Sequence, residues 1–157
     1  MKKLFIIVLI AVVSCLFISS CGTTSGTGFS SVRGKEWRLI EVQINDEFHR
    51  EILFDRRNLT RENAGNLFTL KFDTEMVSGT GAPNLYSAPY NLGEEEQSIS
   101  IMPMRATLMA NLFAPERLPE HIYFGFMANV YKWEIQNQRL VLHSKAEDER
   151  DVVLIFE

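Results

Sequence analysis

The chain changes character abruptly at residue 21, and that boundary decides which part of it can form a globular fold. Lys2 and Lys3 precede an apolar run from Leu4 to Ile18, interrupted only by Ser14. A basic start followed by an apolar stretch is the layout of a secretory signal peptide. The run is 15 residues long, short of the roughly 20 that cross a bilayer as a helix, so a cleaved leader is expected rather than a permanent anchor. Ile18-Ser19-Ser20-Cys21 then places an apolar residue and two small ones before a cysteine. That is the pattern of a lipobox, where lipid is joined to the thiol and the chain is cut just before it. A thiolate is the nucleophile such an alkylation needs. Val12-Val13-Ser14-Cys15 has a similar pattern, but processing there would leave Leu16-Phe17-Ile18 on the mature chain. Cys21, at the junction of apolar and polar sequence, is the expected lipidation site.

Three segments follow from this reading: a signal peptide over 1–20, a lipidated cysteine with a flexible linker over 21–33, and one folded domain over 34–157. Gly22-Thr23-Thr24-Ser25-Gly26-Thr27-Gly28 has the composition of a flexible tether. Removal of the first 20 of 157 residues leaves 137, enough for one hydrophobic core. All 20 acids lie beyond the leader and two of the 16 bases lie within it, so the processed chain sets 14 bases against 20 acids, a net charge of −6. An acidic chain with no basic, aromatic-interleaved stripe is not expected to bind nucleic acid. Both cysteines fall in or at the leader, so the domain holds no disulfide and rests on its core alone.

Within 34–157 the hydrophobic period is mostly two. Trp37, Leu39 and Val42 mark a first strand with some irregularity, and Phe68, Leu70 and Phe72 share a face opposite Thr69 and Lys71. Met76 to Gly79 returns after an Asp73-Thr74-Glu75 turn, and Leu85–Leu92 pairs with Ser98–Met102 across Gly93-Glu94-Glu95-Glu96. That Glu triplet lacks the alternating ligands and glycine of a calcium loop and is expected to be a solvated turn. Residues 45–66 are charged and irregular, expected to form an extended loop with short turns. After Pro119 the period changes to four, through Leu118, Ile122, Phe126 and Val130, which predicts one helix. Strands around Trp133, Leu140–Leu142 and Val152–Phe156 close the chain. The expected fold is mainly β, a β-rich α+β domain: about eight strands in an antiparallel barrel-like or strongly coiled sheet with one helix.

In the same order along the chain, several short motifs resemble those of META domains, also called HslJ-like domains. Gly34-Lys35-Glu36-Trp37-Arg38-Leu39 resembles that family's opening Gly-x-x-Trp-x-Leu. Gly81-Ala82-Pro83-Asn84-Leu85-Tyr86, with Tyr90 beyond it, resembles its Gly-Cys-Asn-x-Tyr loop, and Thr107-Leu108-Met109-Ala110-Asn111 its Thr-x-Met-Ala-Cys segment. Tyr131-Lys132-Trp133-Glu134-Ile135 and Leu140-Val141-Leu142 resemble the closing strands. Pro83 and Asn111 stand where the family usually has cysteines, so no disulfide, metal or redox role can pass to that pair here. The proline, with its fixed φ and missing donor, is expected to stiffen its loop. The resemblance implies a mainly β fold and an envelope setting tied to heat stress and antibiotic tolerance, without an agreed activity.

No catalytic pattern stands out. His49, His121 and His143 lie on three segments at unrelated spacings, so neither a metal site nor a cofactor is expected. Ser78-Gly79-Thr80-Gly81 reads as a hairpin turn; Glu116, Glu120 and His121 near the helix start hint at acid–base work, but acids there are expected simply to complement the helix dipole. Asn84, Leu85, Tyr86 and Tyr90 are the candidate interaction surface, although an asparagine there can equally hold its own loop through backbone hydrogen bonds. The expected function is a non-enzymatic envelope lipoprotein, held at the membrane through lipid on Cys21 and binding an envelope protein or supporting stress tolerance. A small-ligand carrier using the barrel interior, or a hydrolase, are the alternatives. Gly22 carries no aspartate retention signal, which favours the outer membrane.

Overall fold

The structure, a computed structural model, describes residues 28–60, 66–109 and 115–157. Ten strands form one antiparallel sheet: β1 (Glu36–Asn45), β2 (Arg50–Asp55), β3 (Thr69–Phe72), β4 (Met76–Thr80), β5 (Leu85–Leu92), β6 (Ile99–Ile101), β7 (Arg105–Ala106), β8 (Lys132–Gln136), β9 (Arg139–Lys145) and β10 (Asp151–Phe156). Among the described residues one helix, α1 (Glu120–Ala128), interrupts them. The strand order is β6-β5-β4-β3-β1-β10-β9-β8, with β2 on β1 and β7 on β5. The sheet is curled rather than closed into a barrel. Its two end strands touch at a single bridge, Ser98 opposite Lys132, where Ile99 N–H donates to Tyr131 O at 3.1 Å and Trp133 N–H to Gln97 O at 2.9 Å.

The irregularity in the first strand has a physical cause. Trp37 and Leu39 point inward, and a register shift against β10 between Leu39 and Glu41 inserts one residue. Val42 and Ile44 therefore also point inward, although Leu39 and Val42 are three apart. Of the segment expected as an extended loop over 45–66, residues 61–65 lie outside the described residues, and 45–60 hold more regular structure than a loop. β2 pairs along the far half of β1, and a 3-10 turn over Arg56–Asn58 follows, with the Arg57 amide donating to the Asp55 side chain. Phe68 has φ +51°, left-handed backbone that a bulky residue rarely adopts. This kink turns its ring inward onto Tyr123 and Phe54, at 4.8 and 5.5 Å between centroids. Thr69, expected on the outer face, is buried nonetheless, its hydroxyl 2.9 Å from that of Thr80.

Each mouth of the curled sheet is plugged. At one end, α1 starts from Pro119 and buries Tyr123, Phe126 and Met127, with Leu118 and Val130 buried at its flanks. The four-residue period found Phe126 but missed Tyr123 and Met127, because a helix plugging a barrel mouth buries a wider arc than one stripe. At the other end lies a correction to the linker over 21–33. Phe29–Ser31 form a 3-10 turn, and Phe29 and Val32 belong to the core. Phe29 stacks edge-on against Phe72 and Trp133 at 5.1 and 5.0 Å. Two apolar residues in a Ser/Gly context gave no period to read, but the mouth they fill would otherwise expose three aromatic rings.

Candidate functional site

The loop between β4 and β5 is the most densely bonded part of the molecule's helix-capped end. Its Ala82–Pro83 peptide is cis. Glu120, the first residue of α1, sends its carboxylate into this loop: one oxygen accepts from Ala82 N–H at 2.6 Å and Asn84 N–H at 2.7 Å, the other from the Asn84 side-chain amide at 2.5 Å. Asn84 is only 6% exposed. Its Oδ1 accepts from the Thr107 hydroxyl at 2.9 Å and from Met109 N–H at 2.7 Å, while Thr107 Oγ1 accepts from Leu85 N–H at 3.1 Å. An amide, donor on one side and acceptor on the other, is thus the joint between loop, helix and the segment that follows β7. Its polar atoms are committed to holding the fold.

Of the four residues expected to form an interaction surface, the structure buries three. Asn84, Tyr86 and Tyr90 are interior, and only Leu85, 57% exposed, reaches solvent. The tyrosines face inward because each hydroxyl finds a carbonyl there: Tyr86 donates to Thr69 O at 2.9 Å and Tyr90 to Asp73 O at 2.7 Å. Tyr90 also accepts from Arg33 Nε at 2.9 Å. Cys21 lies outside the described residues, as does Asn111. Glu120 reaches far beyond its dipole role, a function sequence reasoning missed. The resembling Thr-x-Met-Ala segment did carry a signal for Thr107.

The Tyr86 and Tyr123 hydroxyls sit 3.1 Å apart in the interior. Burial pushes both phenols above the ordinary tyrosine range, and for Tyr86 the neighbouring Tyr123 adds to the shift. A group whose folded pKa is raised contributes stability that is full below its unfolded pKa, about 10 for tyrosine, and lost as pH rises beyond it. An alkaline titration is therefore expected to show Tyr86 and Tyr123 ionising only together with unfolding. Phenolate absorbance from them while circular dichroism stays native would refute this.

Several depressions open on the surface of the described residues, among them a shallow one beside Leu85, Tyr86 and Thr107. A hollow of about 320 Å³ is lined by Glu41, Asp55, Arg56, Arg57, Arg139 and Glu157, where Arg57 pairs with Asp55 at 2.6 Å. A larger groove of about 460 Å³ lies between α1, β2 and the β9–β10 turn, with Ile44, Leu53, Ile122 and Phe126 on its floor and Arg117, His121 and Lys145 on its rim. The expected barrel interior, by contrast, is filled by packed rings, among them Phe68, Phe72 and Tyr123 with no exposure. The histidines stay apart: His49 and His121 are exposed, and His143 Nε2 lies 2.6 Å from Glu134 on the neighbouring strand. Among the described residues no three His, Cys, Asp or Glu side chains converge as metal ligands would.

Among the described residues, four large apolar side chains are exposed by more than half. Phe48 is 93% exposed at the tip of the β1–β2 hairpin, Leu108 fully so, and Met109 and Leu85 each 57%. All four sit on loops or strand ends at the helix-capped end. Phe48 is held out by a tight turn in which Asp46 Oδ1 accepts from Phe48 N–H at 2.9 Å and His49 N–H at 2.7 Å, bonds that keep the Asp46 carboxyl below the usual carboxylate range.

A curled antiparallel sheet with a helical plug, and an asparagine joint tying that helix to the sheet, define the class of protein. The chain belongs to the META domain family, whose model matches residues 30–156. Among solved structures, a protein from Burkholderia xenovorans determined by NMR is similar at a TM-score of 0.57 and 16% identity, over 85% of this chain and 87% of the other. A DUF4847 family protein from Bacteroides vulgatus is similar at 0.55 and 8% identity, over 81% of this chain and 94% of the other. At these identities the likeness speaks for the fold alone. Among curated proteins none matches the chain by sequence.

Proposed function

We propose that this META-domain chain is an envelope lipoprotein, anchored by lipid on Cys21, whose domain supports the envelope under stress by binding another envelope protein rather than by catalysis. The observation that carries this reading is that the four most exposed large apolar side chains among the described residues, Phe48, Leu85, Leu108 and Met109, all lie on loops or strand ends toward the helix-capped end. Large apolar groups held in solvent on defined turns are what protein interfaces use as anchors. The lipid anchor is supported by the basic and apolar leader and by the position of Cys21 at its end. The small-ligand alternative moves to the outer groove, whose apolar floor and volume fall within the range of ligand sites.

A photo-crosslinking residue at Leu108 tests the binding reading in cells, with one at Glu95 in the β5–β6 turn as control. The Leu108 probe is expected to trap one discrete envelope protein under heat or envelope stress, and Cys21→Ala to abolish fatty-acid labelling. No adduct from Leu108, or the same adducts from both positions, would sink the interface. Labelling retained in Cys21→Ala would transfer the anchor to Cys15.

A further inference from the structure

We infer that the domain stands on the membrane in a fixed sense, with the end plugged by Phe29 facing the bilayer and the helix-capped end displayed away from it. This rests on the anchor at Cys21 proposed above. The chain is pinned from its first core residue onward. Phe29 is wedged among aromatic rings, Trp37 Nε1 donates to Val32 O at 2.9 Å, and Gly34 N–H donates to Phe72 O at 2.9 Å. Any pull through the tether is therefore applied at that mouth of the sheet.

The length of chain outside the structure sets the geometry. Gly28, the first described residue, is seven residues beyond Cys21. A fully stretched chain of that length spans at most about 25 Å, and a flexible one averages about 15 Å end to end. The ten residues of β1 run about 33 Å. Strand tilt of about 40° leaves roughly 25 Å along the axis of the curled sheet, before the hairpin tip carrying Phe48 is added. To lay the helix-capped end on the bilayer, the tether would have to run taut along the whole flank of the domain. Charge at that mouth is mixed, with Asp73, Glu75, Glu94, Glu95 and Glu96 set among Arg33, Lys35 and Lys71, so the orientation rests on the tether length.

The test uses the full, lipid-processed chain in vesicles of phosphatidylethanolamine and phosphatidylglycerol. Cys21 is the only native thiol after processing and carries the lipid, so a single cysteine introduced as Glu95→Cys or Phe48→Cys takes a donor dye selectively. Energy transfer to an acceptor on the lipid headgroups is expected to be several-fold stronger from position 95 than from position 48. A long Gly/Ser insertion after Gly22 is expected to narrow that difference. Equal transfer from both positions in the native-length chain, or stronger transfer from position 48, would overturn the orientation. A chain that fails to float with the vesicles refutes the anchor at Cys21, and the orientation falls with it; one that floats with equal transfer leaves the anchor standing and removes only the orientation.

Discussion

Gly79→Ala is expected to cost at least about 3 kcal/mol of stability, at or beyond the upper end of ordinary overpacking, and to leave little folded protein at 37 °C. The reason lies in how closely β3 and β4 approach. A methyl group on Gly79 would run into the carbonyl oxygen of Thr69, with the Thr69 carbonyl carbon at 2.7 Å and the Leu70 Cα at 3.0 Å. These are backbone atoms in a paired strand, Leu70 lying directly opposite Gly79, so no side chain can swing aside. The neighbouring Ser78→Ala supplies the control, since Ser78 is half-buried and faces the other way. Urea unfolding of both variants checks the claim. A Gly79→Ala protein with a midpoint close to that of Ser78→Ala would show that the two strands can part at small cost.

The second large effect is expected at Glu120. Glu120→Ala strands three donors, Ala82 N–H, Asn84 N–H and the Asn84 amide, in a part-buried site. Each unsatisfied buried donor costs about 1–3 kcal/mol, and partial solvent access brings the expected total to about 3 kcal/mol, roughly 10 °C in melting temperature. Glu120→Gln keeps an oxygen for the two backbone donors but turns its own amide toward that of Asn84, and should cost less than half as much. Because Asn84 also holds Thr107 and Met109, Glu120→Ala and Asn84→Ala are expected to be strongly non-additive in a double-mutant cycle. Additive losses would mean that the two residues stabilise separate parts of the structure.

The strands were legible where alternation and burial agree. Trp37 with Leu39, and Leu70 with Phe72, read correctly as core because each strand presents one face to a single interior. Even the bulge in β1 left its trace, as the three-residue step from Leu39 to Val42. The site was less legible, for two reasons. Tyr86 and Tyr90 in a loop motif look the same whether they meet a partner or the core, since a tyrosine needs only one hydrogen bond for its hydroxyl to be buried. The carbonyls that satisfy them, Thr69 O and Asp73 O, lie 17 residues away. Glu120 is 36 residues from the loop it clamps, and nothing local distinguishes it from any acid in a first helical turn. The motif resemblance singled out Asn84 and Thr107 only in separate segments, which the structure joins by a direct bond.

One feature of the strand order also sets a timetable. The last strand of the chain, β10, is not an edge but an inner strand, hydrogen-bonded to β1 on one side and β9 on the other. A ribosome delivers the chain from its N-terminus, so β1 emerges more than 100 residues before the strand that must lie beside it. Until Phe156 is free, that flank of β1 has no partner, and pairing across so long a loop is slow once it begins. The sheet therefore locks only once β10 itself has been delivered and can pair on both flanks.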